Sequence, residues 1–243
     1  MKKILLSLYA CTLVVTAHAG EASDWGYETN NAPDKWASLS EKYHACSGLN
    51  QSPIDIKNTT SAKLEPLKFN YAANAKSIVN NGHTIQVDFN TGNTLTLDGQ
   101  EFVLKQFHLH SPSENKINGV SYPMEMHLVH ANAQGELAVV AVMYQQSQVN
   151  PSLAKIWSNL PKQAGQSFTF TGNLSAASFL PKKLDYYRFN GSLTTPPCTE
   201  GVRWIVLKEI QSASEAQLNA FTQLLSHPNN RPVQPVNARM ILE

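Results

Sequence analysis

Four of the chain's eight histidines lie between His108 and His130, as a His-x-His pair followed by a His-x-x-His pair. Alternation over Glu101–His110 predicts a strand, and on a strand residues two apart point to the same side. His108 and His110 then share a face with Phe102, Leu104 and Gln106, while Val103, Lys105, Phe107 and Leu109 take the other. Two imidazoles side by side can grip one ion, or they can form a plain polar patch on a half-buried strand. The second pair, His127 and His130, has a spacing that sends its rings to opposite faces, so at most one of them joins the first pair. His127 shares its face with Glu125. A metal-bound imidazole usually gives its other N–H to a carboxylate or carbonyl, so Glu125 favours His127 as the third ligand. Gln106 offers the same support to His108 or His110. His130 reads as a buried, hydrogen-bonded structural histidine.

Three neutral imidazoles without a cysteinate favour zinc. Three protein ligands leave a tetrahedral ion one place for water, whose pKa the metal lowers towards neutrality. The spacing therefore implies a hydrolytic or hydrating zinc site.

The elements that must position these residues are short and mostly extended. Period-two stretches run over Thr84–Phe89, Thr94–Leu97, Glu101–His110, Glu136–Tyr144 and Val202–Leu207. Asn81-Gly82, Asp98-Gly99 and Asn118-Gly119 are turn signals between such stretches. Helices are few. Asn150-Pro151 can cap and start one with Leu153, Ile156, Trp157 and Leu160 on a single stripe. A second is predicted to begin near Ser212, with Glu215 completing a capping box ahead of Leu218, Phe221 and Leu225. No repeat or linker interrupts residues 20–243, so one β-dominated domain with peripheral helices is expected.

With 42% hydrophobic and 15% charged residues, the 243-residue chain can build an ordinary globular core. A formal net charge of +1 excludes nucleic acid or anionic lipid as the main partner, because either would call for a clear basic excess. Lys2 and Lys3, an apolar stretch from Ile4 to Val15 and Ala17-His18-Ala19 read as a secretory signal peptide over residues 1–19. Its removal takes away two lysines and no acid, moving the net charge from +1 to −1. The mature protein is then periplasmic or secreted, with no membrane attachment. Of three cysteines, Cys11 leaves with the leader. Cys46 and Cys198 most simply form one disulfide in an oxidising compartment, the alternatives being buried thiols or a thiol metal ligand. Closing a loop of about 150 residues would stabilise the fold by roughly 4–5 kcal/mol in chain-entropy terms.

At this point the chain closely resembles the α-class carbonic anhydrases of the bacterial secreted type. The resemblance rests on Trp25-Gly26-Tyr27, Gln51-Ser52-Pro53-Ile54, Asn80-Asn81-Gly82-His83, Gln106-Phe107-His108-Leu109-His110 and Ser113-Glu114-Asn115. It continues through Glu125-Met126-His127-Leu128-Val129-His130, Ser192-Leu193-Thr194-Thr195-Pro196-Pro197 and Trp204-Ile205-Val206-Leu207. It implies a mainly β domain on a large, mostly antiparallel twisted sheet with a few peripheral helices. It also implies zinc-dependent reversible hydration of carbon dioxide to bicarbonate and a proton, by attack of zinc hydroxide.

Carried over residue by residue, the resemblance makes His108, His110 and His127 the zinc ligands, with Gln106 and Glu125 behind them. Thr194 would accept a hydrogen bond from the zinc-bound hydroxide and donate its own to Glu114, and Thr195 would help hold bicarbonate. Val129, Val139, Leu193, Val202 and Trp204 match the hydrophobic wall for carbon dioxide. His83 matches the proton shuttle, and Tyr27, Asn81 and Gln86 match positions that order water between it and the metal. Gln86 stands where vertebrate members frequently have asparagine, and Ser111-Pro112 where they usually have Trp-Gly. A Cys46–Cys198 disulfide and a cis peptide at Pro196-Pro197 are also implied. Sulfonamides and small anions are the inhibitors to expect, and a homodimer is a state the resemblance allows. Two rivals are a non-catalytic relative, which would lack one or more of these histidines, and an ester hydrolase. All three histidines are present, and weak esterase activity is expected only as a side reaction.

Overall fold

Alternating apolar and polar residues become strands throughout residues 25–243, the part of the chain that the computed structural model describes. The expected leader, residues 1–19, lies outside the described residues. Eleven strands join in one sheet. Its long path runs Ser167–Thr169, Ala75–Asn80, Ile85–Phe89, Gln100–His110, Met124–Ala131, Leu137–Gln146, Glu200–Leu207, Tyr186–Ser192. Pairing is antiparallel except that Leu137–Gln146 runs parallel to both Glu200–Leu207 and Gln211–Ala213. The sheet is therefore mixed with an antiparallel majority.

Its two faces carry separate apolar layers. On one face Ile85, Val87, Phe107, Leu109, Leu128, Val140 and Ile205 pack with the helices Pro151–Trp157 and Glu215–Leu225 through Leu153, Ile156, Leu218 and Phe221. On the other, Val139, Ala141, Met143, Val202, Trp204 and Val206 pack with Ile54 and Ile56. His108, His110 and His127 belong by parity to this second face.

Parity fails at one place. Phe102 and Leu104 do not share the face of His108; they pack in the same layer as Phe107 and Leu109. The register shows why. Leu104 pairs with His130 and Gln106 with Val129, so Lys105 is an extra residue on its strand, a β-bulge. One inserted residue exchanges the faces on either side of it. The bulge gives an apolar side chain to the helix-covered layer before it and turns Gln106, His108 and His110 to the opposite face after it.

The first helix starts as expected, with the Asn150 side chain accepting from Ser152 N and Leu153 N and Pro151 at the first position. It ends at Trp157, before Leu160. The second helix is capped two residues later than predicted. Ser214 and Gln217 make the reciprocal capping box, while Ser212 is in the strand Gln211–Ala213 that pairs with Leu137–Gln146. A backbone bound into a sheet ladder cannot also serve as a helix cap, so strand pairing decides the frame.

His130 is the buried, hydrogen-bonded histidine expected once Glu125 favours His127 as the ligand. Its Nδ1 lies 3.3 Å from the Ala138 carbonyl, which only accepts, so Nε2 accepts from the Tyr71 hydroxyl at 2.6 Å. Burial holds its pKa down at about 4. A histidine depressed in the folded state binds its proton preferentially when unfolded, so its contribution is complete above about pH 6.5 and is lost as pH falls towards 4. The loss over that window is on the order of 3 kcal/mol. His130→Gln should be less stable at neutral pH yet lose less stability between pH 6.5 and 4. Urea midpoints measured across that range check this, and an unchanged slope would contradict it.

Candidate metal centre

The strand register brings the three imidazoles together. His108 lies opposite His127 and His110 opposite Glu125 on the adjacent antiparallel strand. Their ring centroids are 4.6 to 5.4 Å apart, and one nitrogen from each falls within 4.8 Å of the others. Two of the rings, those of His108 and His110, have their second nitrogen occupied by a protein acceptor. His108 Nδ1 is 2.9 Å from Gln106 Oε1, and His110 Nδ1 is 2.7 Å from the Asn229 carbonyl. His127 Nε2 lies 2.9 Å from Glu125 Oε1, close in distance although off the ideal hydrogen-bond direction. These oxygens accept, so those nitrogens carry the hydrogens. The lone pairs left for an ion are on His108 Nε2, His110 Nε2 and His127 Nδ1.

The electrostatics keep the rings neutral. Desolvation holds His108 well below the ordinary histidine range, and repulsion from His110 and His127 adds to it. His127 is lowered well by desolvation and then by His110. His110 is also lowered by desolvation, against the opposing pull of its Asn229 hydrogen bond. His110 Nε2 is buried and has no partner. An unpartnered buried nitrogen is costly, and a cation shared by three imidazoles removes that cost. The residues present fit a zinc ion.

Two buried carboxylates sit behind the rings. Glu125 accepts from the backbone N–H groups of Glu114 and Asn115 at 2.7 and 2.8 Å and from Asn115 Nδ2 at 2.7 Å. Burial raises its pKa to about 7 against the opposing pull of those hydrogen bonds. Glu114 Oε1 accepts from Arg231 N at 2.8 Å. Its Oε2 lies 3.5 Å from His110 Nε2 and 3.8 Å from His127 Nδ1. Burial pushes Glu114 well up, while the Arg231 N–H and a hydrogen bond with the Thr194 side chain pull it down.

The five residues expected as an apolar wall pack in one layer, and none of them lines the opening beside His108 and His110. Val139, Val202 and Trp204 are buried, with Val129 and Leu193 packed against them. The Trp204 ring lies 4.9 Å from that of His127. A cavity of about 110 Å³ is lined by His108, His110, Gln106 and Gln86, with Tyr27, Asn81, His83 and Thr195. His83 shares parity with Ile85, Val87 and Phe89 yet lines this cavity instead of joining their layer; Gly82 takes φ +88° and the strand begins only at Ile85. Asn81 Oδ1 secures that turn by accepting from His83 N and Thr84 N, each at 2.9 Å. The His83 ring stacks on Trp25, with centroids 3.9 Å apart. Gln86 Nε2 donates to Asp88 Oδ1 at 2.8 Å, which leaves its carbonyl oxygen as an acceptor.

A family model described as eukaryotic-type carbonic anhydrase matches residues 31–243. The chain belongs to that family, the α-class carbonic anhydrases. It is 47% identical to a carbonic anhydrase of Neisseria gonorrhoeae over 97% of this chain and 94% of that one. It is 44% identical to one of Pectobacterium atrosepticum over 98% and 97%. Among solved structures, the α-carbonic anhydrase of Thermovibrio ammonificans in complex with the inhibitor sulfanilamide superposes with a TM-score of 0.90 at 45% identity. That match covers 92% of this chain and 100% of the other. A carbonic anhydrase is a lyase, and carbon dioxide hydration is the reaction of the family.

Several groups that hold this carbonic anhydrase site together escape sequence reasoning. Gln106 supports His108 alone, and the acceptor for His110 is the Asn229 carbonyl, 119 positions away. Asn229 also donates from Nδ2 to the His83 and Leu109 carbonyls and accepts from Ser111 N through Oδ1. Arg231 is 2% exposed. Besides its backbone bond to Glu114, it donates to Gln51 Oε1, the Ser52 carbonyl and the Cys46 carbonyl at 2.7 to 2.8 Å. Cys46 and Cys198 are disulfide-bonded. Cys198 N donates to the Thr195 carbonyl at 2.8 Å, so the bridge ties the Thr194–Thr195 segment to the N-terminal region. The Pro196-Pro197 peptide is cis as the resemblance implies, and so are Ser52-Pro53 and Ser111-Pro112.

Glu125 is the group with most connections to a single imidazole's support. Glu125→Gln keeps the shape but loses the charge that faces His127, so zinc affinity should fall about 10- to 100-fold. Competition with a chromophoric chelator measures this; an affinity equal to the parent's would contradict the support role.

Proposed function

We propose that the chain catalyses the reversible hydration of carbon dioxide to bicarbonate and a proton, with one zinc ion held by His108 Nε2, His110 Nε2 and His127 Nδ1. The observation that carries this reading is the commitment of one nitrogen of His108 and one of His110 to a protein acceptor, with Glu125 2.9 Å from His127 Nε2, which leaves the buried His110 Nε2 unpartnered. Zinc in such a site lowers the pKa of bound water to about 7, a magnitude for which carbonic anhydrase is itself the reference example, and so makes a nucleophile available at neutral pH.

The chain's own groups orient and confine the reaction. Ionised Glu114 can only accept, so it takes the Thr194 hydroxyl hydrogen and leaves the Thr194 oxygen as an acceptor for the nucleophile. That fixes the direction of the attacking lone pair, which is a contribution of orientation rather than of acid strength. Val129, Val139, Leu193, Val202 and Trp204 give carbon dioxide an apolar wall and keep water from that side, and Thr195 helps hold bicarbonate. A cavity of about 110 Å³ suits so small a substrate and leaves little room for a large acyl group. His83 takes the proton that hydration releases; histidine titrates near working pH and can accept and return it. Tyr27, Asn81 and Gln86 order the water between.

The same reading makes residues 1–19 a signal peptide and residues 20–243 the catalytic domain, acting in the periplasm or outside the cell. The Cys46–Cys198 bond supports an oxidising compartment. Among the described residues no helix is long and apolar enough to cross a membrane. Sulfonamides and small anions should inhibit by taking the open zinc position, in keeping with the sulfanilamide bound to the Thermovibrio ammonificans relative.

Thr194→Ala separates orientation from metal binding. It should retain a full equivalent of zinc while carbon dioxide hydration falls about 10²-fold. Metal analysis and stopped-flow hydration on the same sample test this. Loss of the zinc, or hydration at the parent rate, would overturn the assignment.

A further inference from the structure

Two cavities that share lining residues lie beside the three histidines. The inner one holds His108 and His110 and is also lined by Tyr27, Asn81 and His83. An outer one of about 480 Å³ is lined by Tyr27, Asn81 and His83 again, and by Glu28 and His227. His83 therefore borders both spaces, whereas His227 borders the outer one. The Tyr27 ring adjoins both imidazoles, with centroids 6.5 Å from His83 and 6.1 Å from His227.

The position of His227 is held by the site itself. It lies in the segment after the helix Glu215–Leu225, two residues before Asn229. Asn229 binds His110 through its carbonyl and the His83 carbonyl through its side-chain amide, at 2.7 and 3.0 Å. Any ordering of the metal site thus also orders the segment that carries His227. The His227 Nδ1 is 3.0 Å from the Pro228 carbonyl. A carbonyl only accepts, so Nδ1 carries the hydrogen and Nε2 is the basic nitrogen.

We propose that His227 is a second proton acceptor for the reaction, receiving protons from His83 across the outer cavity and delivering them to buffer. The inference rests on the reading of His83 as the first acceptor. The N–H bond broken at the His83 imidazolium is replaced by one formed at His227 Nε2 through intervening water, and a buffer base then removes that proton. Among the described residues lining the outer cavity, the other titratable groups are Tyr27 and Glu28. The Tyr27 hydroxyl is pushed well up, by burial first and then by Glu114, and stays neutral at working pH. Glu28 supplies a negative charge that favours an imidazolium in this space.

Proton transfer to buffer limits kcat, whereas kcat/KM for carbon dioxide reports only the steps up to bicarbonate release. Hydration is measured by stopped flow in dilute and in concentrated imidazole buffer for the parent, His227→Ala, His227→Gln, His83→Ala and the double variant. Both His227 variants should lose about two- to threefold in kcat in dilute buffer, as expected for the outer step of a two-step relay, and recover in concentrated imidazole. Their kcat/KM should stay at the parent value. The double variant should match His83→Ala, because His227 receives its protons from His83. Parent kcat in both His227 variants at every buffer concentration, with loss in His83→Ala, overturns this inference and leaves the His83 reading intact. Parent kcat in His83→Ala with loss in the His227 variants overturns the His83 reading and with it the relay from His83 to His227. A parallel fall of kcat and kcat/KM in the His227 variants marks a structural effect and overturns the inference.

Discussion

Everything in this site depends on which nitrogen of each imidazole is already taken. A neutral histidine has one donor and one acceptor nitrogen, and a metal needs the acceptor. Here two donors are assigned by an amide two residues along the strand and a backbone carbonyl from a distant loop, and the third ring has a carboxylate two residues along its own strand lying 2.9 Å from one nitrogen. The tautomers are fixed before any ion arrives, and the three lone pairs have no better partner than a shared cation. That is pre-organisation obtained by hydrogen bonding rather than by rigidity of the ring itself.

The supports are in turn supported. Glu125 is fixed by three N–H donors from Glu114 and Asn115, and Glu114 by the backbone of Arg231. Arg231 reaches the carbonyl of Cys46, whose disulfide partner Cys198 closes the turn that follows Thr194 and Thr195. Polar groups buried this deeply stay only where each finds a partner. The network explains why a small reaction on a triatomic substrate sits in a sheet of eleven strands. Two strands carry the three imidazoles, two more carry Val139, Val202 and Trp204 beside them, and the remainder of the fold keeps the supporting hydrogen bonds dry and aligned.

Short-range features of this arrangement are legible from the chain alone. The strand over Glu101–His110 and the common face of His108 and His110 follow from a period of two, and the structural part played by His130 follows once Glu125 favours His127. The same rule misplaces Phe102 and Leu104, because a single extra residue at Lys105 exchanges the faces and nothing in the local pattern announces it. The helix cap at Ser214 rather than Ser212 has a similar origin, since pairing of Gln211–Ala213 with a distant strand overrides a local motif. Asn229 and Arg231 carry no local signal. They act through backbone groups and through contacts more than a hundred positions away, and a backbone carbonyl looks the same in every residue. Parity with Glu125 favoured His127 over His130; membership of the family and the convergence of His127 with His108 and His110 now stand beside it.

The central claim is that three imidazoles with preassigned tautomers make one zinc site on which hydration depends. Its most direct test is a titration. The protein is stripped of metal with a chelator, returned to buffer and given zinc in steps while carbon dioxide hydration is followed by stopped flow. The account predicts negligible hydration at the start, a linear rise and a sharp end point at one zinc per chain. Full hydration in the stripped protein, or a rise that continues well past one equivalent, would contradict it.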